Sequence, residues 1–246
     1  KWHQKLKNQA TTNAIIVEID NFKPDLIHSF SIGSTVTPHF MAYAKSKNIP
    51  VIHSFRDYYY ICPKNYMLHI NGTILKKHGG LLECVLQHHP KKNIFFDGFL
   101  YLKQSIHKSI IKKNIAYFLT PSNNLTEMIA SEFKKPGETL PNPVLISNPF
   151  LNEKKSDYLL FVGRLDKEKG VLTLLKAFEK ILERFPDEKL KIAGSGSCQK
   201  ELEEYVYQNK IENVTFEGNK NREELMELYA SAKFTIVPSE FLESYG

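Results

Sequence analysis

The stretch Tyr158–Phe178, YLLFVGRLDKEKGVLTLLKAF, puts two cations, Arg164 and Lys169, in a short turn flanked by Gly163 and Gly170. The apolar run Tyr158–Val162 reads as a strand. Val171, Leu174, Leu175, Phe178, Ile181 and Leu182 recur at spacings of three and four, which is one face of a helix. Gly163 lets the backbone turn or come close to a ligand. An arginine grips phosphate oxygens in pairs, a lysine acts as a compact point charge, and a helix N-terminus adds partial positive charge. The chemistry that fits this turn is the holding of a diphosphate. The same residues also read as a solvated Lys/Glu-rich loop. The diphosphate reading requires both cations to face a ligand instead of being tied up by neighbouring carboxylates.

A second chemistry-bearing stretch is Pro50–Pro63, PVIHSFRDYYYICP. A short apolar strand is followed at once by Arg56, Asp57 and three tyrosines, Tyr58 among them. Arg56 and Asp57 read either as ligand-facing groups or as a local ion pair anchoring the loop. His53 and His28 sit inside strands and read as packed histidines. Cys62, Cys84, His88 and His89 contain no paired C-x-x-C, so no metal site is expected from them.

The elements that must position these residues alternate nearly from end to end. Candidate strands are Asp25–Ser29, Val51–Phe55, Ala116–Thr120, Val144–Ser147, Tyr158–Val162, Leu190–Ala193, Val214–Glu217 and Phe234–Val237. Amphipathic stretches lie between many of them, which predicts an α/β fold with parallel sheets covered by helices. In Phe99–Asn114, Phe99, Leu102, Ile106 and Ile110 share one face and Lys108 and Lys112 line another. The helix packs on its own sheet with a solvated Lys face, or lies on an anionic membrane surface.

Residues 1–150 hold 18 Lys and Arg against 9 Asp and Glu, net +9; residues 151–246 hold 15 against 18, net −3. The polar segment Asn148–Ser156 falls where the sign changes, so the expected division is 1–150 and 151–246. A basic half suggests an anionic partner met by that half alone, unless the excess is mere compositional drift. No apolar run approaches the ~18 residues of a spanning helix, and KWHQKLKNQATTN lacks a signal peptide's apolar block. Three scattered cysteines suggest a reducing compartment.

Four segments in order, FVGRLDKEKGVLTLLKAF, LKIAGSGS, VTFEGN and ELYASAKFTIVPSEFLESYG, resemble the C-terminal domain of glycosyltransferase family 4, the retaining GT-B enzymes. KPDLIHSFS, NIPVIHSFRDYYYICP, YFLTPSNNLTEMI and VLISNPF resemble its N-terminal domain less sharply. The resemblance implies two Rossmann-like domains facing a cleft. It implies that Arg164 and Lys169 bind the diphosphate of a nucleotide-sugar donor and stabilise it as it leaves. Gly163, Gly194, Gly196, Glu217 and Glu243 join them on the donor side, with Glu243 as the first of the family's paired glutamates. The second would fall at position 251, and the family's N-terminal Gly-rich loop is not found, so a chain truncated at both ends is expected.

On the acceptor side the resemblance implies Arg56, Asp57 and Tyr58. Asp57 would orient the acceptor hydroxyl and the tyrosines would stack on sugar rings. The family usually has His where Arg56 stands, and an arginine stays protonated and cannot act as a base. The expected reaction is transfer to a glycan or lipid-linked acceptor, as in bacterial surface polysaccharide synthesis. It would need no cofactor or metal, no D-x-D triplet being present, and would take place in the cytoplasm, on the inner membrane face in one version. The alternative is a non-catalytic sugar-nucleotide-binding relative. No nucleic-acid motif is present, and a nucleic-acid partner is not expected.

Overall fold

A computed structural model describes residues 6–30, 32–33, 35–62, 94–143 and 157–245. The chain divides into two compact units, Lys1–Pro143 with Leu242–Gly246, and Val144–Phe241. The division thus falls some residues before the expected 150/151. The last residues belong with the first unit, where the Tyr58 hydroxyl donates to the Glu243 carbonyl (3.4 Å) and the Ser122 hydroxyl to the Ser244 carbonyl (2.6 Å). The expected strand Val144–Ser147 and the seam Asn148–Ser156 lie outside the described residues.

The first unit runs α1 (Gln9–Phe22), β1 (Ile27–Phe30), α2 (Phe40–Ser46), β2 (Val51–Ser54), α3 (Ile94–Asn114), β3 (Tyr117–Thr120), α4 (Asn123–Phe133) and β4 (Gly137–Thr139). Its sheet is parallel throughout, in the order β1-β2-β3-β4. Val51, His53, Phe55, Phe118 and Thr120 alternate to one face and are buried. There they meet Met41, Ala44, Leu125, Ile129 and Phe133. Phe55 anchors an aromatic group, 4.6 Å from His53, 4.7 Å from Phe133 and 5.8 Å from Tyr60 between ring centres. Strand β4 is not among the candidate strands; Pro136 and Gly137 are residue types that favour turns. Gly137 fits since a Cβ there would sit 2.5 Å from the Phe118 ring.

Helix α3 only partly follows the expected face. Among its described side chains Lys103, Gln104, His107 and Ile111 are buried, whereas on the expected apolar face Phe99, Ile106 and Ile110 are half-buried and Leu102 is 53% exposed. The basic side is also not simply solvated: Lys108 pairs with the Glu132 carboxylate (2.7 Å) and Lys112 donates to the Glu132 carbonyl (2.8 Å), at the end of α4.

The second unit runs β5 (Leu159–Val162), a short 3-10 turn (Lys167–Lys169), α5 (Val171–Leu182), β6 (Leu190–Ala193), α6 (Gln199–Gln208), β7 (Val214–Gly218), α7 (Arg222–Ser231) and β8 (Phe234–Thr235). Its sheet is parallel in the order β7-β6-β5-β8. Leu159, Leu160 and Phe161 are all buried, the pattern of a strand covered on both faces. The expected α5 stripe is confirmed, with Val171, Leu174, Leu175 and Phe178 buried.

Beyond the strands, backbone pairing continues into the loops. Gly163 N donates to Ala193 O (3.0 Å), Gly194 N to Gly218 O (2.7 Å), Leu165 N to Ser195 O (2.9 Å) and Cys198 N to Leu165 O (2.8 Å). This close fit explains two glycines: a Cβ on Gly194, whose φ is +132°, would lie 1.9 Å from Gly163 O, and one on Gly196 would lie 2.4 Å from the Leu165 backbone.

Two outcomes follow for stability. Gly194→Ala is expected to lower unfolding stability by more than about 2 kcal/mol in urea titration, since it meets both strain and a backbone clash; a near-neutral result would mean the two loops do not touch. His53 is 1% exposed, with Nδ1 2.9 Å from the Ser29 hydroxyl. Burial pushes its pKa down to about 4, against the Ser29 hydrogen bond, and the nearby His28 adds to the lowering. Above about pH 6.5 the group is neutral folded and unfolded alike. As pH falls toward 4 the unfolded chain is protonated first, so stability drops by on the order of 3 kcal/mol over that window. An NMR titration of the His53 ring should therefore show a midpoint near 4, and a midpoint above 6 would contradict the burial.

Candidate functional site

In the second unit, the turn between β5 and α5 presents Arg164 and Lys169 at the carboxyl edge of the sheet. Asp166 organises it. Its Oδ1 accepts from the Ser197 amide (3.0 Å) and hydroxyl (2.8 Å), binding the β6–α6 loop to this turn. Its Oδ2 accepts from the Arg164 guanidinium. These bonds, led by the Ser197 amide, hold the Asp166 carboxyl below its usual pKa. Arg164 also donates to Glu168 Oε1 (3.1 Å). The expectation that Arg164 stands clear of carboxylates is therefore corrected: it is held by two of them, although its side chain remains 58% exposed. The cause is local: Asp166 and Glu168 stand two and four residues from Arg164 in the same turn.

Lys169 lies over the Phe241 ring, 5.0 Å from its centre, a cation–π contact. Gly170 takes φ +68° and comes so close to the 238–240 segment that a Cβ would sit 2.0 Å from Pro238 O. Glu240 N donates to Glu168 O (2.9 Å), and the Thr173 hydroxyl donates to the Glu240 carboxylate. A cavity of about 200 Å³ opens here among Asp166, Gly170, Thr173, Cys198, Glu201 and Glu240.

The other donor-side residues fare differently. Gly163, Gly194 and Gly196 lie at this edge, and the structure gives the latter two a packing reason in place of ligand approach. Glu217 is an extra residue in β7, where the register jumps from Phe216 to Gly218. It pairs with Lys191 (3.3 Å) and Lys220 (3.1 Å) and faces a cavity with Tyr158. Burial alone would raise its pKa, but hydrogen bonds from Lys220 and Lys191 outweigh it and hold the carboxyl low. Glu217 is thus engaged by two lysines. Glu243 belongs to the first unit.

In the first unit, β2 ends at a cavity of about 400 Å³ lined by His53, Ser54, Arg56, Asp57, Tyr59 and Lys103, among others. Arg56 is exposed and also borders a neighbouring cavity of about 340 Å³ with His28, Phe30 and Thr120. Arg56 and Asp57 form no ion pair with each other among the described residues. Asp57 Oδ1 instead accepts from the Tyr59 amide (2.9 Å). Tyr58 is 1% exposed, its hydroxyl accepting from Asn124 (3.2 Å), so it has no face to offer a sugar; Tyr59 and Tyr60 are the tyrosines in the cavity wall. Tyr60 is buried with its hydroxyl on the Ile32 carbonyl (3.2 Å). Cys62 is a buried free thiol, and Cys84, His88 and His89 lie outside the described residues.

Sequence reasoning missed Asp166, Ser197 and Lys103. Asp166 was readable as an acid two residues from Arg164, whereas Lys103 required knowing which way α3 turns.

Residues 145–246 match the family model described as "Glycosyl transferases group 1". An uncharacterised glycosyltransferase of Methanocaldococcus jannaschii, MJ1607, is 44% identical over 89 residues, 36% of this chain and 22% of that protein. Another from the same organism, MJ1178, is 25% identical over 230 residues, 90% of this chain and 56% of that protein. The chain therefore spans about half or less of the length of these relatives. Among solved structures, Anabaena Alr3699/HepE in complex with UDP superposes with a TM-score of 0.59 at 12% identity, covering 93% of this chain and 56% of that one. The chain has a GT-B-like fold of two Rossmann-like units, and its residues 145–246 are similar in sequence to the glycosyl transferases group 1.

Proposed function

We propose that this chain takes part in glycosyl transfer from a nucleotide-sugar donor to a glycan or lipid-linked acceptor. The observation that carries the reading is the family match over 145–246, centred on a turn that sets Arg164 and Lys169 at the carboxyl edge of a parallel sheet. In this reading the anomeric C–O bond of the donor breaks and the electron pair leaves with the diphosphate. The acceptor hydroxyl oxygen forms the new bond and gives up its proton. Arg164 and Lys169 stabilise the charge gathering on the departing diphosphate. That term removes the need for a metal, and the anomeric configuration is retained as in the family resembled. Action in the cytoplasm, on surface polysaccharide and near an anionic membrane face, belongs to the same reading. No described helix is long and apolar enough to cross a membrane.

The ion pairs of Arg164 bear on this directly. Exposed pairs are worth roughly 0.2–1 kcal/mol each. A diphosphate offers the same guanidinium a bidentate partner of higher charge, and Asp166 keeps its Ser197 hydrogen bonds when the arginine leaves. A non-catalytic sugar-nucleotide-binding relative is the second reading. The observation favouring it is that Arg164 is already neutralised by Asp166 and Glu168.

A screen with UDP-, GDP- and ADP-sugars should raise the melting temperature of the chain for at least one donor, and Arg164→Ala and Lys169→Ala should each abolish the rise. Unchanged responses in both variants would refute the donor site. Glu168→Gln removes a competing carboxylate and should tighten donor binding roughly two- to fivefold, the equivalent of one exposed ion pair. Donor binding without release of free nucleotide, in the presence of acceptor glycans, would favour the non-catalytic reading.

A further inference from the structure

The two carboxylates that pair with Arg164 from its own turn are anchored differently. Glu168 Oε1 accepts from Nη2 (3.1 Å), and this carboxylate has no other hydrogen bond among the described residues. Asp166 Oδ2 accepts from Nη1, while Oδ1 is fixed from the other side by the amide (3.0 Å) and hydroxyl (2.8 Å) of Ser197. Burial does not separate the two, since their side chains are 18% and 14% exposed. What separates them is the support behind Asp166. The loop that carries Ser197 is itself clamped to the turn, with Leu165 N donating to Ser195 O (2.9 Å) and Cys198 N to Leu165 O (2.8 Å). Gly196 lies so close that a Cβ would sit 2.4 Å from the Leu165 backbone.

Asp166 is therefore in place before it meets the arginine, whereas Glu168 is held only by the pair it makes. An arginine offers five N–H donors in a rigid fork, so a carboxylate that fixes one corner sets the direction of the rest. A side chain ordered in advance spares the ligand the cost of ordering it. Charge alone would make both carboxylates rivals of an incoming diphosphate. Anchoring gives them opposite roles.

We propose that Asp166 is the positioning residue of the donor site: braced by Ser197, it aims the Arg164 guanidinium at the place the diphosphate takes, and Glu168 is the rival that the diphosphate displaces. The inference rests on the donor-side reading of Arg164 and deepens it by naming the residue that sets the arginine's direction.

Asp166→Asn is the decisive variant. Its side-chain oxygen still accepts from Ser197, so the two loops stay joined, but the amide in place of Oδ2 meets the guanidinium as donor against donor. The test is calorimetric titration of the whole chain with UDP, GDP and ADP, and with uridine, guanosine and adenosine. For the diphosphate that binds most tightly, Asp166→Asn should weaken binding roughly two- to tenfold, the cost of ordering one long side chain, while Glu168→Gln tightens it. The matching nucleoside has no phosphate for Arg164 and should bind both variants like the parent. Diphosphate binding in Asp166→Asn equal to the parent's, or tighter, would overturn the proposal, because Asp166 would then be a second rival. An equal loss of diphosphate and nucleoside would overturn it as well, since Asp166 would serve only the shape of the turn. No binding of any diphosphate, or binding that survives Arg164→Ala, refutes the donor site and takes this inference with it. Diphosphate binding that is lost in Arg164→Ala but untouched in Asp166→Asn leaves the donor site standing and sinks this inference alone.

Discussion

Asp166 joins the parts of the second unit that matter for chemistry. One oxygen takes the amide and hydroxyl of Ser197, and the other takes Arg164. Without this carboxylate the β6–α6 loop and the β5–α5 turn would lose the side-chain hydrogen bonds that add to their backbone pairing, and the guanidinium would lose one of its two carboxylates. The carboxylate therefore does two things at once. It ties two loops into one edge, and it holds an exposed arginine in a restricted orientation before any ligand arrives. Much of the cost of binding is the ordering of long side chains. An arginine already ordered by weak, exposed pairs exchanges partners at little entropic cost.

The glycines at this edge serve the same end by backbone. Gly163, Gly194 and Gly218 stand where three neighbouring strands run out; the amides of Gly163 and Gly194 donate and the Gly218 carbonyl accepts, which continues the ladder for another step. At Gly194 a side chain would have forced the two loops apart, since its Cβ would meet the Gly163 backbone. Glu217, displaced by the bulge beside Gly218, is drawn to Lys191 and Lys220 instead of toward the edge. A glycine-rich strand end looks the same in sequence whether it admits a ligand or another loop. Only the 1.9 Å approach of Gly163 O to a hypothetical Cβ on Gly194 separates the two cases.

What sequence makes legible is what neighbours along the chain decide. Strand β6 falls where expected, and β1, β2, β3, β5 and β7 within one or two residues, because β-branched and aromatic runs bounded by breakers are local signals. The α5 stripe is equally local. Strand β4 was hidden because its residues pair for tertiary reasons, beneath Phe118, against their own turn propensity. The candidate site was partly readable: the positions of Arg164 and Lys169 on a turn follow from spacing, but the capture of Arg164 by Asp166 and Glu168 depends on how tightly that turn closes. Tyr58, Tyr59 and Tyr60 differ only by which way each points, so the two that line the cavity, Tyr59 and Tyr60, could not be chosen from YYY.

Helix α3 shows how a misread periodicity carries information. The stripe Phe99, Leu102, Ile106, Ile110 is the more apolar, and a helix governed by burial alone would turn it inward. The structure instead buries Lys103, Gln104, His107 and Ile111, a face that has one apolar residue among four. Part of the reason is hydrogen bonding: Gln104 reaches Tyr59, and His107 Nε2 lies 2.7 Å from the Leu6 carbonyl. Those bonds satisfy the amide and one ring nitrogen, so the orientation of α3 follows polar groups that find partners as much as apolar surface that leaves water.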